Sequence, residues 1–171
     1  APGEACYVPL QHGGTDMFAE KPKQVAFDVA LARLKELLED DSILKVGQNL
    51  KYDMSVMAQH GISIAPFDDT MVMSFNLDAG EHGHGMDELS KLHLGHECIS
   101  YKSVAGTGKS QISFAEVALP EATKYAAEDA DVTLRLWHHL RLRMAPEKVT
   151  RVYEMVDKPS IAVLNRMECN G

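Results

Sequence analysis

The spacing of apolar side chains predicts alternating helices and strands in the first half of the chain. Across residues 25–39 they recur three and four positions apart, which is the period of an amphipathic helix. Residues 42–46 form a short apolar run that predicts a strand, and residues 62–64 are expected to be extended. Between these segments a second helix is predicted over residues 50–60, with Asn49 as its N-cap.

Helical patterns dominate the second half of the chain. Short helices are predicted over residues 71–77 and 86–94, and residues 99–111 are expected to be irregular. Residues 120–144 predict a long helix that opens on a proline, which suits the first helical position, and residues 146–166 predict another. Strands that come early and helices that come late indicate an α/β domain with a small sheet.

Composition narrows the class of protein. The 171 residues are 45% hydrophobic and 25% charged, as in ordinary globular domains, and no apolar run approaches the roughly 18 residues that cross a bilayer. The cysteines, at positions 6, 98 and 169, form neither a disulfide framework nor a zinc pattern, which predicts a cytoplasmic setting without a membrane partner. The net charge of −8 means that any nucleic acid would be bound locally, through cations and a few lysines.

Three residues carry the candidate chemistry. Tyr125 and Asp129 are four positions apart on the long helix and share a face, so a carboxylate that can bind Mg²⁺ lies one turn from a phenol that can orient water. Asp53 follows a predicted strand at the start of a helix, a usual place for sites in α/β folds. Carboxylates gathered from distant segments are what phosphodiester hydrolysis with two divalent ions requires.

Other polar residues are predicted to lie outside this chemistry. We expect Asp131 to be solvated or to pair with a cation, and Glu128 not to face the same ion as Asp129. The histidines at positions 82, 84, 93 and 96 have no cysteine or third histidine at supporting spacing, so solvated loop and helix positions are expected for them. Trp137 is expected in the core or at an interface.

Five segments occur in the order found in one enzyme family. They are Asn49-Leu-Lys-Tyr-Asp53, Phe67-Asp-Asp69-Thr70, Met86-Asp87, Gly106-Thr-Gly108-Lys109 and Tyr125-Ala-Ala-Glu-Asp129-Ala-Asp131. Together they resemble the 3′–5′ proofreading exonuclease domains of the bacterial DNA polymerase I family, in the tyrosine branch of the DEDD exonucleases. The resemblance implies a ribonuclease H-like α/β fold, with a mixed sheet flanked by helices. It also implies that residues 1–146 form the exonuclease domain and that residues 147–171 lead into a polymerase thumb.

The resemblance implies roles for the three candidate residues. Asp129 would bind a tightly held metal ion, Asp53 would hold a second one largely through water, and Tyr125 would orient the attacking water. The expected cofactor is a pair of Mg²⁺ ions, with Mn²⁺ or Zn²⁺ as substitutes.

The resemblance also implies how substrate is held. Asn49 would contact the substrate strand, although capping alone is the favoured interpretation of this residue. Tyr101 would stack near the 3′-terminal base, with a half-buried loop aromatic as the alternative. Lys109 would meet a phosphate, with a solvated loop lysine as an equal alternative. The expected partners are a single-stranded or frayed DNA 3′ end and a polymerase domain of the same chain, in the bacterial cytoplasm at the nucleoid.

One family motif has no counterpart in this sequence. No aspartate is followed two positions later by glutamate, although the family carries Asp-x-Glu on its first strand. Residues 1–10 predict the turn and second strand of a hairpin, so we expect the chain to begin after that leading strand. Metal binding and hydrolysis by these residues alone are then expected to be weak or absent. Two alternatives stay open: a structural domain that has lost its chemistry, and a ribonuclease D-like RNA exonuclease.

Overall fold

Helices surround a two-stranded parallel sheet in the computed structural model, which describes residues 1–13 and 23–170. The α-helices and β-strands are α1 (Phe27–Leu38), β1 (Lys45–Gly47), α2 (Leu50–Ala58), β2 (Phe67–Asp69), α3 (Thr70–Asp78), α4 (Met86–Leu89), α5 (Tyr101–Ala105), α6 (Leu119–Met144), α7 (Thr150–Val152) and α8 (Lys158–Asn170). Two π-helical turns, Ser90–Leu94 and Tyr153–Asp157, continue α4 and join α7 to α8. Short 3₁₀ turns occupy Gly108–Ser110 and Phe114–Glu116.

The sheet is smaller than the sequence pattern suggests. β1 and β2 run parallel, with Lys45 opposite Phe67 and Gly47 opposite Asp69. The extended segment predicted at residues 62–64 is therefore not the second strand, which lies a few residues further along. A short strand is defined by its pairing partner, and that partner is set by tertiary structure rather than by local propensity.

The described part of the amino-terminal segment forms no strand. Gly3 donates its N–H to Asp131 Oδ1 (2.5 Å), and Gly13 donates its N–H to the carbonyl of Ala115 (2.8 Å). These backbone donors bond to a side chain and to a loop, so the strand predicted within residues 1–10 is wrong for the residues that the structure describes.

The helix α6 organises the core. Its buried side chains include a stripe at every fourth position, formed by Val132, Leu136, Leu140 and Met144. Trp137 is also buried, as predicted, and its Nε1–H donates to Asp68 Oδ2 (2.8 Å). The predicted long helix is confirmed, with its proline in the first turn.

The last helices pack on the same body. The helix predicted over residues 146–166 begins later, at Thr150, because residues 145–148 form a turn. Ile161 of α8 packs against Leu50 and Met54 of α2, and buried Tyr153 donates its hydroxyl proton to Asp68 Oδ1 (3.0 Å).

The segment between residues 99 and 111 is more regular than expected. Ser100 caps α5 by accepting the N–H of Ser103, and Gly106 follows with φ 78°, a backbone conformation that glycine adopts without strain. Among the residues described, no helix has both the length and the apolarity needed to cross a membrane.

Candidate active site

The carboxylate of Asp129 carries an unused ligand atom. The residue is half-buried on α6, and its Oδ1 is buried with no hydrogen-bond partner among the residues that the structure describes. A buried polar atom without a partner is costly and calls for an explanation. An oxygen of this kind suits a bound cation or an ordered water.

The surroundings of Asp129 also favour a cation. Burial raises the pKa of its carboxyl to about 6, the charges of Glu128 and Asp87 add to the rise, and the Tyr125 hydroxyl acts in the opposite direction. Negative charge is therefore concentrated at this point, and among the described residues no positive group contributes to the pKa of Asp129. A divalent ion would remove the penalty for ionising Asp129.

Asp87 is a member of the site that sequence reasoning did not assign. It lies in the first turn of α4, and its charge raises the pKa of both Asp129 and Tyr125. The sequence signal that could have identified it is its place in Met86-Asp87, one of the five segments shared with the exonuclease family. The structure therefore places a second carboxylate near the Tyr125–Asp129 pair.

Tyr125 is held in an aromatic cluster. Its ring lies 6.0 Å from that of Tyr101 in an edge-on arrangement and 5.7 Å from that of Phe114. Tyr101 also stacks on Phe114 at 6.1 Å and remains 39% exposed, so part of this residue is accessible to a ligand. Phe114 was not predicted, because a lone aromatic in a loop carries no sequence signal.

The hydroxyl of Tyr125 stays protonated near neutral pH. Burial first, and then the charge of Asp129, raise its pKa above the ordinary value for tyrosine. The phenol can therefore donate a hydrogen bond to water or substrate, but it is poorly suited to remove a proton.

Asn49 does not cap α2 with its side chain. The residue occupies the N-cap position, as predicted, but it has left-handed backbone (φ 57°, ψ 45°) and its side chain makes no cap bond, so the interpretation that it caps the helix through its side chain is wrong. Asp69 performs this function instead, because its carboxylate accepts the N–H groups of Asn49 (3.2 Å) and Leu50 (2.7 Å). The side chain of Asn49 is left exposed at the end of β1.

Asp53 lies in the first turns of α2, as predicted. Desolvation raises the pKa of its carboxyl, and the charge of Asp69 contributes in the same direction. No hydrogen bond or ion pair joins Asp53 to Tyr125 or Asp129 in the part of the chain described. Lys109 is exposed on its 3₁₀ turn and makes no ion pair with any described residue.

The two acids nearest to Asp129 on α6, Glu128 and Asp131, already have partners. Glu128 accepts hydrogen bonds from His96 Nε2 (2.9 Å) and from the N–H of Ile99 (2.6 Å). Asp131 lies 3.6 Å from Arg135 Nη1, so it pairs with a cation as predicted. Of the three neighbouring acids on α6, Asp129 alone has a buried oxygen without a partner among the described residues.

Comparison with known proteins identifies the family. Residues 1–145 match the family described as 3′–5′ exonuclease. The chain belongs to this 3′–5′ exonuclease family. It is 52% identical over 171 residues to DNA polymerase I of Rhizobium leguminosarum and 43% identical over 173 residues to DNA polymerase I of Pseudomonas aeruginosa. These alignments include 98% and 99% of the chain but only 17% and 18% of the two polymerases.

A solved structure of similar fold is that of Brucella melitensis NrnC. The TM-score is 0.64 at 25% identity, over 78% of this chain and 64% of that one. The predicted ribonuclease H-like α/β class is confirmed, with the correction that the sheet in the described residues is a small parallel one. The prediction of a 3′–5′ exonuclease domain is confirmed as well.

Enzymes of this family generally use divalent metal ions. The residues present fit such an ion, since the buried, unpartnered Oδ1 of Asp129 is the hard oxygen ligand that Mg²⁺ and Mn²⁺ prefer.

Proposed function

We propose that this chain contributes to proofreading, the hydrolytic removal of mispaired nucleotides from DNA 3′ ends. The chain spans about a sixth of the polymerases that it resembles, so the activity of a whole protein of that kind is part of the proposal. The single observation that supports it most is the unpartnered carboxylate oxygen of Asp129, one helical turn from Tyr125.

Asp129 and Asp53 would hold two divalent ions, with Mg²⁺ as the expected metal and Mn²⁺ or Zn²⁺ as substitutes. When bound, such ions supply Lewis-acid stabilisation of the phosphate and lower the pKa of water. Asp129 would be the primary ligand, because its buried Oδ1 has no hydrogen-bond partner among the described residues. Asp87, which acts electrostatically on Asp129, adds negative charge beside the first ion.

Tyr125 would position the attacking water. Its raised pKa keeps the hydroxyl protonated, and its ring packs against both Tyr101 and Phe114, so the donor has a defined direction. A positioned donor of this kind orients the nucleophile without itself accepting a proton.

Three exposed residues would hold the substrate strand. The side chain of Asn49 makes no cap bond and could contact the strand. Tyr101 is partly exposed and could stack on a terminal base. Lys109, which forms no ion pair with a described residue, could contact a phosphate. Stacking and phosphate contacts are tolerant of sequence, which suits an enzyme that must act on any mispaired end. The proposed partner is therefore a single-stranded or frayed DNA 3′ end.

The sequence contains no Asp-x-Glu pair, so the chain by itself supplies few protein ligands to the first ion. We propose that the 171 residues alone hydrolyse DNA weakly. We further propose that residues 1–146 are the exonuclease domain and that residues 147–171 connect it to a polymerase domain, acting in the bacterial cytoplasm at the nucleoid.

In the test, this chain replaces the aligned segment of a DNA polymerase I. The host is whichever of the Rhizobium and Pseudomonas enzymes trims 3′ ends itself. The chimera should remove a mispaired 3′ nucleotide, and Asp129→Asn should slow removal by about 1,000-fold or more, because metal stabilisation of developing charge contributes several kcal/mol. Tyr125→Phe should slow it by about 100-fold.

Asp131→Asn is the matched control, since it changes an acid on the same helix that already pairs with Arg135. A chimera that trims equally well with Asp129→Asn would contradict the proposal. Equal or faster trimming of an RNA 3′ end would favour the RNA exonuclease alternative. An inactive chimera that keeps normal polymerase activity would favour a structural domain.

A further inference from the structure

A second group of metal-ligating side chains lies outside the acids described above. Asp78 ends α3, His82 follows in the loop, and His93 lies in the π-helical turn after α4. One ligand atom from each of the three residues lies within 4.8 Å of the others, and all three residues are partly buried. The expectation that these histidines are solvated is therefore wrong for His82 and His93.

Both histidines keep a nitrogen free in this cluster. The Nε2 atoms of His82 and His93 are buried and have no hydrogen-bond partner within the described residues. Two buried imidazole nitrogens without partners in one cluster are unusual, because each one leaves a desolvated polar atom. A shared ligand would satisfy both of them.

The hydrogen bonding of His82 prepares it for a metal ion. Its Nδ1 lies 2.7 Å from the carbonyl oxygen of Gly83, which can only accept, so Nδ1 carries a proton and, in the neutral ring, Nε2 presents a lone pair. Metal-binding histidines commonly donate their second N–H to a carbonyl or carboxylate in this way. Nε2 faces Asp78 Oδ2 at 3.6 Å, which is too long for a hydrogen bond.

That separation suits two ligands of one ion. Bond lengths of about 2.0–2.1 Å place neighbouring ligands of a tetrahedral Zn²⁺ ion roughly 3.3 Å apart. The 3.6 Å between His82 Nε2 and Asp78 Oδ2 is close to this value. His93 would be the third ligand, and water would complete the tetrahedron.

The ring of His93 is held against a neighbouring ring. It stacks on that of His139 at 4.8 Å, which limits its orientation. Its buried Nε2, which has no hydrogen-bond partner within the described residues, is therefore available as a ligand.

Asp78 is held in place by a cation. Arg143 donates to both of its oxygens (2.8 and 2.7 Å) and also to Glu147 (2.7 Å). Each carboxylate oxygen has two lone pairs, so one on each oxygen remains for a metal ion. The negative charge of Glu147 offsets the positive charge of Arg143. The site therefore has no net positive charge that would repel a divalent ion.

We propose that Asp78, His82 and His93 bind a first-row transition-metal ion, with Zn²⁺ as the best match, at a site separate from the exonuclease acids. Two imidazoles and one carboxylate are a borderline-soft ligand set that suits Zn²⁺ better than Mg²⁺. The ion links the end of α3 to the π-helical turn, and that turn continues the helix that carries Asp87. Its role is to hold this part of the fold together.

A neighbouring group, His96, Cys98 and Glu128, is a weaker candidate. His96 Nε2 already bonds to Glu128 at 2.9 Å, so its ligand atoms satisfy one another.

The test measures Zn²⁺ binding by the chain carrying Asp53→Asn and Asp129→Asn, which removes the proposed exonuclease ligands. One Zn²⁺ per chain is expected, and Co²⁺ in its place should show the visible absorption of a tetrahedral site. Adding His82→Gln or His93→Gln should weaken Zn²⁺ binding by at least about 100-fold, since loss of even a supporting partner weakens metal sites by up to that much. Adding His138→Gln, an exposed histidine of α6, should leave binding unchanged.

A second measurement covers the case in which a histidine variant fails to fold. In the parent double variant, Zn²⁺ should shift the ring-proton NMR signals of His82 and His93 and leave those of His138 in place. Absence of stoichiometric binding would overturn the proposal and leave an ordinary His82–Asp78 ion pair. Binding that survives both His82→Gln and His93→Gln would overturn it as well.

Discussion

Two pairs of acids in this molecule differ in how their oxygens are used. Asp68 and Asp69, at the end of β2, have donors on every carboxylate oxygen. Asp68 accepts from Tyr153, Lys158 and Trp137, and Asp69 accepts four backbone N–H groups. Asp129, by contrast, keeps a buried oxygen without a partner among the described residues, and Asp53 makes no ion pair there.

The difference separates acids that support the fold from acids that are free for chemistry. Both kinds occur in segments shared with the exonuclease family, so sequence similarity alone does not distinguish them. The number of satisfied oxygens does, because a fully bonded carboxylate has little left to offer an ion. Removing the first kind should destabilise the fold, whereas neutralising the second should not.

The largest effect is expected at Asp69. Asp69→Ala removes the acceptor of four N–H groups at the starts of α2 and α3, and should lower the free energy of unfolding by about 3 kcal/mol. Urea unfolding followed by circular dichroism measures this change. Asp69→Asn, which keeps one acceptor oxygen, should recover part of the loss. A loss for Asp69→Ala below that of a single helix cap, about 1 kcal/mol, would break the distinction.

Asp68 should follow with a smaller effect. Asp68→Asn removes the charge that pairs with Lys158 and turns an NH₂ group towards at least one donor, so a loss of about 2 kcal/mol is expected. Urea unfolding followed by circular dichroism measures this loss as well. Glu154→Gln, which changes the more exposed partner of Lys158, is the control and should cost less than about 0.5 kcal/mol. Equal losses in both variants would mean that Asp68 is an ordinary surface acid.

Neutralising Asp129 should stabilise the fold, whereas substitutions of Asp68 and Asp69 should destabilise it. Burial raises its pKa from 3.8 to about 6, so ionisation of this carboxyl destabilises the folded state relative to the unfolded one. The stability that the neutral form provides is complete below pH 3.8 and is lost as the pH rises through about 6. Without divalent ions, Asp129→Asn should therefore stabilise the chain at pH 7.5, by about 1 kcal/mol after allowance for solvent screening.

Thermal unfolding between pH 3.5 and 7.5, in buffer with a chelator, measures this difference for Asp129→Asn against the unaltered chain. The stabilisation should disappear at the acid end of that range. Asp131→Asn, which loses a pairing with Arg135, should give no stabilisation at either end. A stabilisation by Asp129→Asn that did not depend on pH would show that charge is not its cause.

Much of the fold was predictable from local pattern. The apolar stripe of α6 has helical spacing along its whole length, and the family motifs placed Asp53 on α2 and Tyr125 with Asp129 on α6. The tyrosine and the acid lie one helical turn apart, so their proximity depends only on helix geometry.

The features that sequence missed depend on contacts between distant residues. Asp69 caps α2 from about twenty positions away, although Asn49 is the local candidate for that position. His93 joins Asp78 and His82 from the π-helical turn that follows α4. Neither arrangement can be predicted from the spacing of residues along the sequence, because tertiary packing determines both.

The most direct test of the proposed exonuclease site asks whether Oδ1 of Asp129 is a metal ligand. Paramagnetic Mn²⁺ broadens nearby NMR signals even when it binds weakly, so amide spectra of the chain are recorded as Mn²⁺ is added, with Asp69→Asn and Asp129→Asn compared. If Oδ1 of Asp129 is a metal ligand, Mn²⁺ should selectively broaden the amide signals around Tyr125 and Asp129 in the unaltered chain and in Asp69→Asn. This broadening should be lost in Asp129→Asn. The same broadening in Asp129→Asn, or none in the unaltered chain, would contradict this role of Asp129.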